Sequence, residues 1–152
     1  MGKPAFIATE ELGKLVKWIR VAGYDCIYYR GKNESDIIIH ALRDNRILLT
    51  RNSRLLKHKG IKIIIIKNDH IEDQIRQVTA EGAASFGPGE IFKRCVACNN
   101  TLETIDKRLI VDKVPEYVYK THDEFKYCAR CGKIFWRGTH WKNVEKMVAK
   151  LI

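Results

Sequence analysis

Over residues 1–80 the hydrophobic positions switch repeatedly between a strand period and a helix period. PAFIA (4–8) is a short apolar run, as a buried strand is. Leu12, Leu15, Val16 and Ile19 then recur at helical spacing, and Gly23 is placed to stop that helix. CIYY (26–29) reads as a second strand, and Ile37, Ile38, Ala41 and Leu42 mark one face of a second helix. RILLT (46–50) is a third strand, with SRLLK (53–57) as a short helix behind it. IKIIIIK (61–67) is the most β-branched run in the chain, which predicts a central strand buried on both faces. Ile71, Ile75 and Val78 pattern the helix that follows. Such alternation predicts an α/β fold, a parallel sheet flanked by helices.

The pattern breaks at GAASFGPGE (82–90), where three glycines and a proline mark a linker. Beyond it the composition changes, and four of the five cysteines fall within 95–131. The expected organisation is an α/β domain over 1–81, a linker over 82–90, and a small β-rich module over 91–152 that ends in a helix.

Cys95-Val-Ala-Cys98 and Cys128-Ala-Arg-Cys131 are two CxxC pairs separated by residues 99–127. Each CxxC turn sets two sulfurs on one side of a tight loop, and two such loops face to face form a tetrahedral thiolate cage for zinc. Asn99 and Gly132 follow the pairs, and both residue types accept the left-handed backbone such turns need. A redox CxxC and a pair of structural disulfides are the competing readings. Two matched pairs without a secretion signal favour zinc. Four sulfur ligands close the site, so the zinc is expected to be structural and to fold the module around it. Cys26 stands apart in an apolar strand and reads as a core thiol.

With 45% hydrophobic and 30% charged residues, the 152-residue chain has enough apolar surface for a core. No apolar run approaches the roughly 18 residues of a membrane span. The N-terminal MGKPAFIATEE lacks a signal core, and Phe6 stands where the lipid-attachment pattern requires Ser or Thr. The expectation is a soluble, cytoplasmic protein. The formal charge is +10, and zinc held by four thiolates leaves it at about +8. Both values favour a polyanionic partner, most simply nucleic acid. Arg51, Arg54 and Lys57 cluster after the third strand, near the strand ends where open α/β sheets bind ligands. Lys14, Lys17 and Arg20 share the first helix, the two lysines on a solvated face. Arg130, Lys133 and Arg137 crowd the second cysteine turn among Tyr127, Phe135, Trp136 and Trp141. Aromatics interleaved with cations suit RNA contact. The competing reading has Phe135, Trp136 and Trp141 packing the ribbon against the first domain, and it is the favoured one for Trp141.

FIATEELGKLVKWIRVAGYD, SDIIIHALRDNRILLTRNSRLL and CVAC…CARCGKIFWRGTHW occur in this order. In this the chain resembles the mut-seven C-terminal RNase family over nearly its whole length. The resemblance implies a PIN-like nuclease domain, followed by a zinc ribbon, and a ribonuclease dependent on Mg²⁺ or Mn²⁺. Acids of that family stand at the positions of Thr9 and Asn52, which are neutral here. Asp36 matches a retained acid, and Asp69 is a further candidate. Thr9 and Asn52 keep residue types that cap helices while removing two charges from the pocket. For Asp36 the competing role is in a loose capping box with Asn33, and for Asp69 a turn acid. Glu10 and Glu11 are expected to face outward, and rotation of one of them inward as a substitute acid is the competing reading.

Three functions follow. The first is an RNA-binding member of a ribonuclease family whose catalysis is in doubt. The second is an active divalent-metal ribonuclease using Asp36 and Asp69. The third is a zinc-ribbon module that docks on a protein partner. Charge favours RNA over the third, and the missing acids favour the first over the second.

Overall fold

A computed structural model describes residues 3–87 and 90–151, with only the backbone of His140. The first half alternates strand and helix: β1 (Ala5–Ala8), α1 (Gly13–Val21), β2 (Cys26–Tyr28), α2 (Glu34–Arg43), β3 (Arg46–Thr50), β4 (Ile63–Ile65) and α3 (Ile71–Ala80). Short 3-10 turns at Glu10–Leu12 and Ser53–Lys57 follow β1 and β3. The four strands form a parallel sheet in the order β2-β1-β3-β4, with Phe6 opposite Cys26 and Ile47 and with Leu49 opposite Ile64. Because side chains alternate across a strand, Phe6, Ala8, Leu49 and Ile64 bury one face against α1 and α3, and Ile7 and Leu48 bury the other against α2. Leu12, Leu15, Val16 and Ile19 are all buried, and Gly23 ends the first helix region at φ +92.

The run IKIIIIK is not the central strand its composition predicts. β4 lies at the edge, and β1 and β3 hold the centre. Ile64 and Ile66 are buried while Ile63 and Ile65 are half-exposed, so β-branched content reported the helix cover rather than the place in the order. Gln77 on α3 shields that edge. Its Nε2 donates to the Ile65 carbonyl at 2.7 Å and its Oε1 accepts from the Lys67 N–H at 3.1 Å, taking two groups another strand would use. Leu42, assigned to the buried face of α2, is 49% exposed.

Segment 82–90 carries Ala83, Ala84 and Phe86 into the same core as the sheet. The second half contains β5 (Glu103–Thr104), α4 (Glu116–Thr121), β6 (Phe125–Tyr127), β7 (Ile134–Trp136) and α5 (Thr139–Leu151), with β5-β6-β7 antiparallel. Ile110, Val114, Val118 and Phe125 form a small cluster of their own. Helix α5 returns to the sheet, and Trp141, Val144 and Val148 join the main core. The Trp141 ring meets Phe92 edge-on at 4.9 Å, and its place in the main core beside the sheet residues agrees with a packing role for Trp141. Trp136 instead packs on the small cluster.

The first cysteine turn is tied to the edge strand β2. Arg20, 8% exposed, donates from Nε to the Cys26 carbonyl at 3.0 Å and from Nη1 to the Val96 and Ala97 carbonyls at 2.8 and 3.4 Å. Asn99 Oδ1 accepts the Cys26 N–H at 2.9 Å, and Asn99 Nδ2 donates to Asp25 at 2.7 Å. Both outward backbone groups of Cys26 are thus satisfied, which closes the β2 edge. Asp25 also receives a two-pronged contact from Arg46 at 2.8 and 3.1 Å. Cys26 is fully buried, and burial pushes its thiol up to about 12, so it is an unreactive core residue.

Arg20→Met leaves three carbonyls without their donor. We expect a loss of about 2–4 kcal/mol in urea unfolding. Arg20→Lys is expected to recover less than half of it, because an ammonium lacks the guanidinium fork.

Candidate functional site

Parallel α/β sheets present ligand sites at the carboxyl ends of their strands, here the exits of β1 and β3. Thr9 leaves β1, and its hydroxyl donates to Glu11 Oε1 at 2.6 Å and lies 3.2 Å from Thr50 Oγ1. Thr50 ends β3, and the N–H of Arg51 just beyond it donates to the same Glu11 oxygen at 3.2 Å. Glu11 therefore stays exposed, as expected, while its carboxylate reaches over both exits, which the helical pattern does not predict. The reason is local: Glu10–Leu12 is a 3-10 turn and not the first turn of α1, so the rotation per residue is larger than the helical pattern assumes. Burial works against ionisation of Glu11. The Thr9 hydroxyl, its own backbone N–H, and the N–H and charge of Arg51 outweigh burial and hold the carboxyl below its usual value.

The Arg51 side chain spans the gap to β4. Its Nη2 donates to Asp69 Oδ1 and its Nη1 to the Asn68 carbonyl, both at 2.7 Å. Asp69 is otherwise exposed, at 88%. Asp36 lies on the other side, at the start of α2. Its N–H is capped by Asn33 Oδ1 at 3.3 Å, the forward half of the expected box. Its carboxylate accepts from the Tyr29 hydroxyl at 2.8 Å and stands 3.6 Å from His40 Nε2. That contact pushes the Tyr29 phenol up. The Asp36 carboxylate is thus held by β2 and α2, and that of Asp69 by the β3 exit. Among the described residues, the metal-ligating side chains that come together in a group of three or more are the four cysteines. Asn52 caps the Ser53–Lys57 turn, its Oδ1 accepting from the Arg54 N–H at 3.1 Å. Thr9 holds the cap position but makes no side-chain cap, because its hydroxyl is committed to Glu11.

The basic candidates divide by what they touch. Arg51 pairs with Asp69, Lys57 with Glu34 at 3.3 Å, and Arg54 Nε donates to Asn52 at 3.3 Å. Arg137 pairs with Glu124 and Glu145 and stands 5.0 Å from the Phe92 ring centre. Arg130 and Lys133 are exposed on the second cysteine turn and have no ion pair among the described residues.

The two cysteine turns are built alike. Asn99 N–H donates to the Cys95 carbonyl at 2.9 Å and Gly132 N–H to the Cys128 carbonyl at 2.8 Å, with both residues left-handed at φ +71 and +77. The four sulfurs lie within 4.8 Å of one another. Cys95 and Cys131 are 3.7 Å apart, and Cys98 and Cys128 are 3.1 Å apart. A tetrahedral ion with bonds of about 2.3 Å sets its sulfurs roughly 3.8 Å apart, and a disulfide needs about 2.05 Å. The spacing fits a shared metal ion. Sequence reasoning offered Glu11 only as a competing substitute acid and missed the buried Arg20 as a site residue. The signal for Glu11 was an acid two residues past a threonine at a strand exit.

A parallel α/β body with a four-cysteine ribbon sewn to its edge is the class these features define. The family model described as Mut7-C RNAse domain matches residues 4–148, and the chain belongs to that family. Comparison with curated proteins and with solved structures finds no match.

Because the folded Glu11 pKa is depressed, its contribution to stability is present above the unfolded value near 4.5 and is lost as pH falls through the folded one. Glu11→Gln is expected to be less stable than the wild type at neutral pH and to show a flatter acid limb over roughly pH 3 to 5, measured by urea midpoints across that range.

Proposed function

We propose that this chain binds RNA and cleaves it poorly or not at all. One observation carries the reading: Glu11 and Asp69, two carboxylates beside the β1 and β3 exits, already have donors within the fold. Arg51 reaches Asp69 with its guanidinium and Glu11 with its backbone N–H, and Thr9 supplies a hydroxyl donor. A hard dication such as Mg²⁺ or Mn²⁺ is held by oxygens that converge on it. Here Asp36 is tied to Tyr29 and His40, and an arginine already supplies the positive charge at Asp69. An incoming dication would meet that guanidinium as a like charge. The residues present do not fit a catalytic Mg²⁺ or Mn²⁺ site, and Asp36 and Asp69 make no convergent pair.

RNA as the partner is supported by the ribonuclease family and by a formal charge of +10. For the cysteine cluster we assign zinc as the metal. Four sulfurs suit a soft tetrahedral ion and leave no open position, so its role is structural.

With purified protein, single-stranded RNA and Mn²⁺, we expect binding that weakens steeply with salt and no cleavage. Cleavage that disappears in Asp36→Ala would overturn the reading. Thr9→Asp combined with Asn52→Asp removes the hydroxyl donor to Glu11 and adds two acids, and it is expected to gain metal-dependent cleavage. Metal analysis should return about one zinc per chain. Chelation should unfold the ribbon, seen as loss of amide protection over 91–136. A value well under one zinc would remove the assignment.

A further inference from the structure

A cleft of about 760 Å³ lies between α1, the first cysteine turn, β7 and α5. Three half-buried aromatic side chains from three separate elements line it: Trp18 from α1, Tyr28 from β2 and Phe135 from β7. Its volume falls in the ordinary range for ligand sites. Lys14 and Lys17, both exposed, line it from α1, and neither has an ion pair among the described residues. The Arg30 guanidinium stands 5.7 Å from the Tyr28 ring centre. The indole N–H of Trp18 donates to no acceptor among the described residues. The cleft depends on the anchoring of the ribbon, because Arg20, which grips Val96 and Ala97, lines it together with those two residues.

Apolar aromatic walls beneath unpaired ammonium groups suit a ligand with flat faces and anionic links. Single-stranded RNA has that chemistry, since its unpaired bases have exposed faces and each carries a phosphate. In a duplex those faces are covered by neighbouring bases. We propose that this cleft takes unpaired bases of single-stranded RNA, with Trp18, Tyr28 and Phe135 as stacking surfaces and Lys14 and Lys17 on the phosphates. The proposal rests on the reading that the chain binds RNA, and it places that binding on the α1–ribbon side of the molecule.

The test uses the full zinc-loaded chain, a fluorescein-labelled single-stranded RNA of mixed sequence, and the same RNA annealed to its complement. Affinity is read by anisotropy at several salt concentrations. Trp18→Ala should weaken single-strand binding about 10-fold, while Trp18→Phe should retain most of it. Lys14→Ala with Lys17→Ala should reduce the salt slope by about 1.4. The duplex should bind at least about 10-fold more weakly and show no sensitivity to Trp18. The Phe and lysine variants leave the core intact and read the cleft even where Trp18→Ala unfolds. Wild-type RNA binding that all these variants share unchanged overturns the cleft and leaves the RNA reading standing. Absence of salt-dependent RNA binding in the wild type overturns both. A change in Trp18 emission that follows protein concentration without RNA, with dimers in sedimentation, assigns the cleft to a second copy and also overturns the proposal.

Discussion

The guanidinium of Arg20 is the contact on which the rest of the architecture turns. It projects from α1, which the sheet positions, and reaches carbonyls in β2 and in the first cysteine turn. Without it an edge strand would expose its carbonyl and the turn would keep only the Asn99 contacts to Cys26 and Asp25. Burial lowers its pKa, opposed by the sulfurs of Cys26, Cys95 and Cys98 nearby. With zinc bound as proposed, four thiolates around a dication leave a net charge of about −2, which favours a cation beside them. The metal cage and the buried arginine would then stabilise each other, coupling folding of the ribbon to its docking on the sheet.

At the strand exits the same residue type has the opposite consequence. Arg51 brings positive charge to a place where a metal-dependent nuclease needs negative charge uncompensated. Thr9 makes the arrangement consistent. A carboxylate there would repel Glu11, whereas a hydroxyl can donate to it at 2.6 Å. Thr9, Glu11, Arg51 and Asp69 form one hydrogen-bonded set that is satisfied without an ion.

Much of the fold was legible in the chain. Leu15, Val16 and Ile19 announced α1, the RILLT run is β3 residue for residue, and the two CxxC pairs announced the sulfur cluster. These signals are local, set by period or spacing. Strand order was not legible from IKIIIIK, because isoleucines register burial by helices on either face, and an edge strand with a shielding glutamine can be nearly as buried as a central one. Glu11, though exposed, reaches over the strand exits because a 3-10 turn changes the angle per residue, and nothing in its residue type records that. The role of Arg20 was hidden for a related reason. In sequence it belongs with Lys14 and Lys17 as a basic helix residue, and only the third dimension separates a buried cation from two solvated ones.

That separation bears on where RNA meets the protein. A formal charge of +10 says little about a surface until the cations occupied by the fold are set apart from those left over. Arg20, Arg46, Arg51 and Arg137 are engaged by carbonyls or carboxylates, and Lys57 by Glu34. Lys14, Lys17, Arg130 and Lys133 have no ion pair among the described residues. The engaged arginines include the one at the strand exits. Of the cations left over, Lys14 and Lys17 line the aromatic cleft from α1, Arg130 and Lys133 stand on the second cysteine turn outside it, and Lys32 and Arg54, also without an ion pair among the described residues, line the pocket at the strand exits. Phosphate attraction is strongest where charge is not already neutralised, and that is the role proposed for Lys14 and Lys17. The proposed cleft holds a strand without any chemistry at the strand exits, since stacking and phosphate contact require neither converging carboxylates nor a dication.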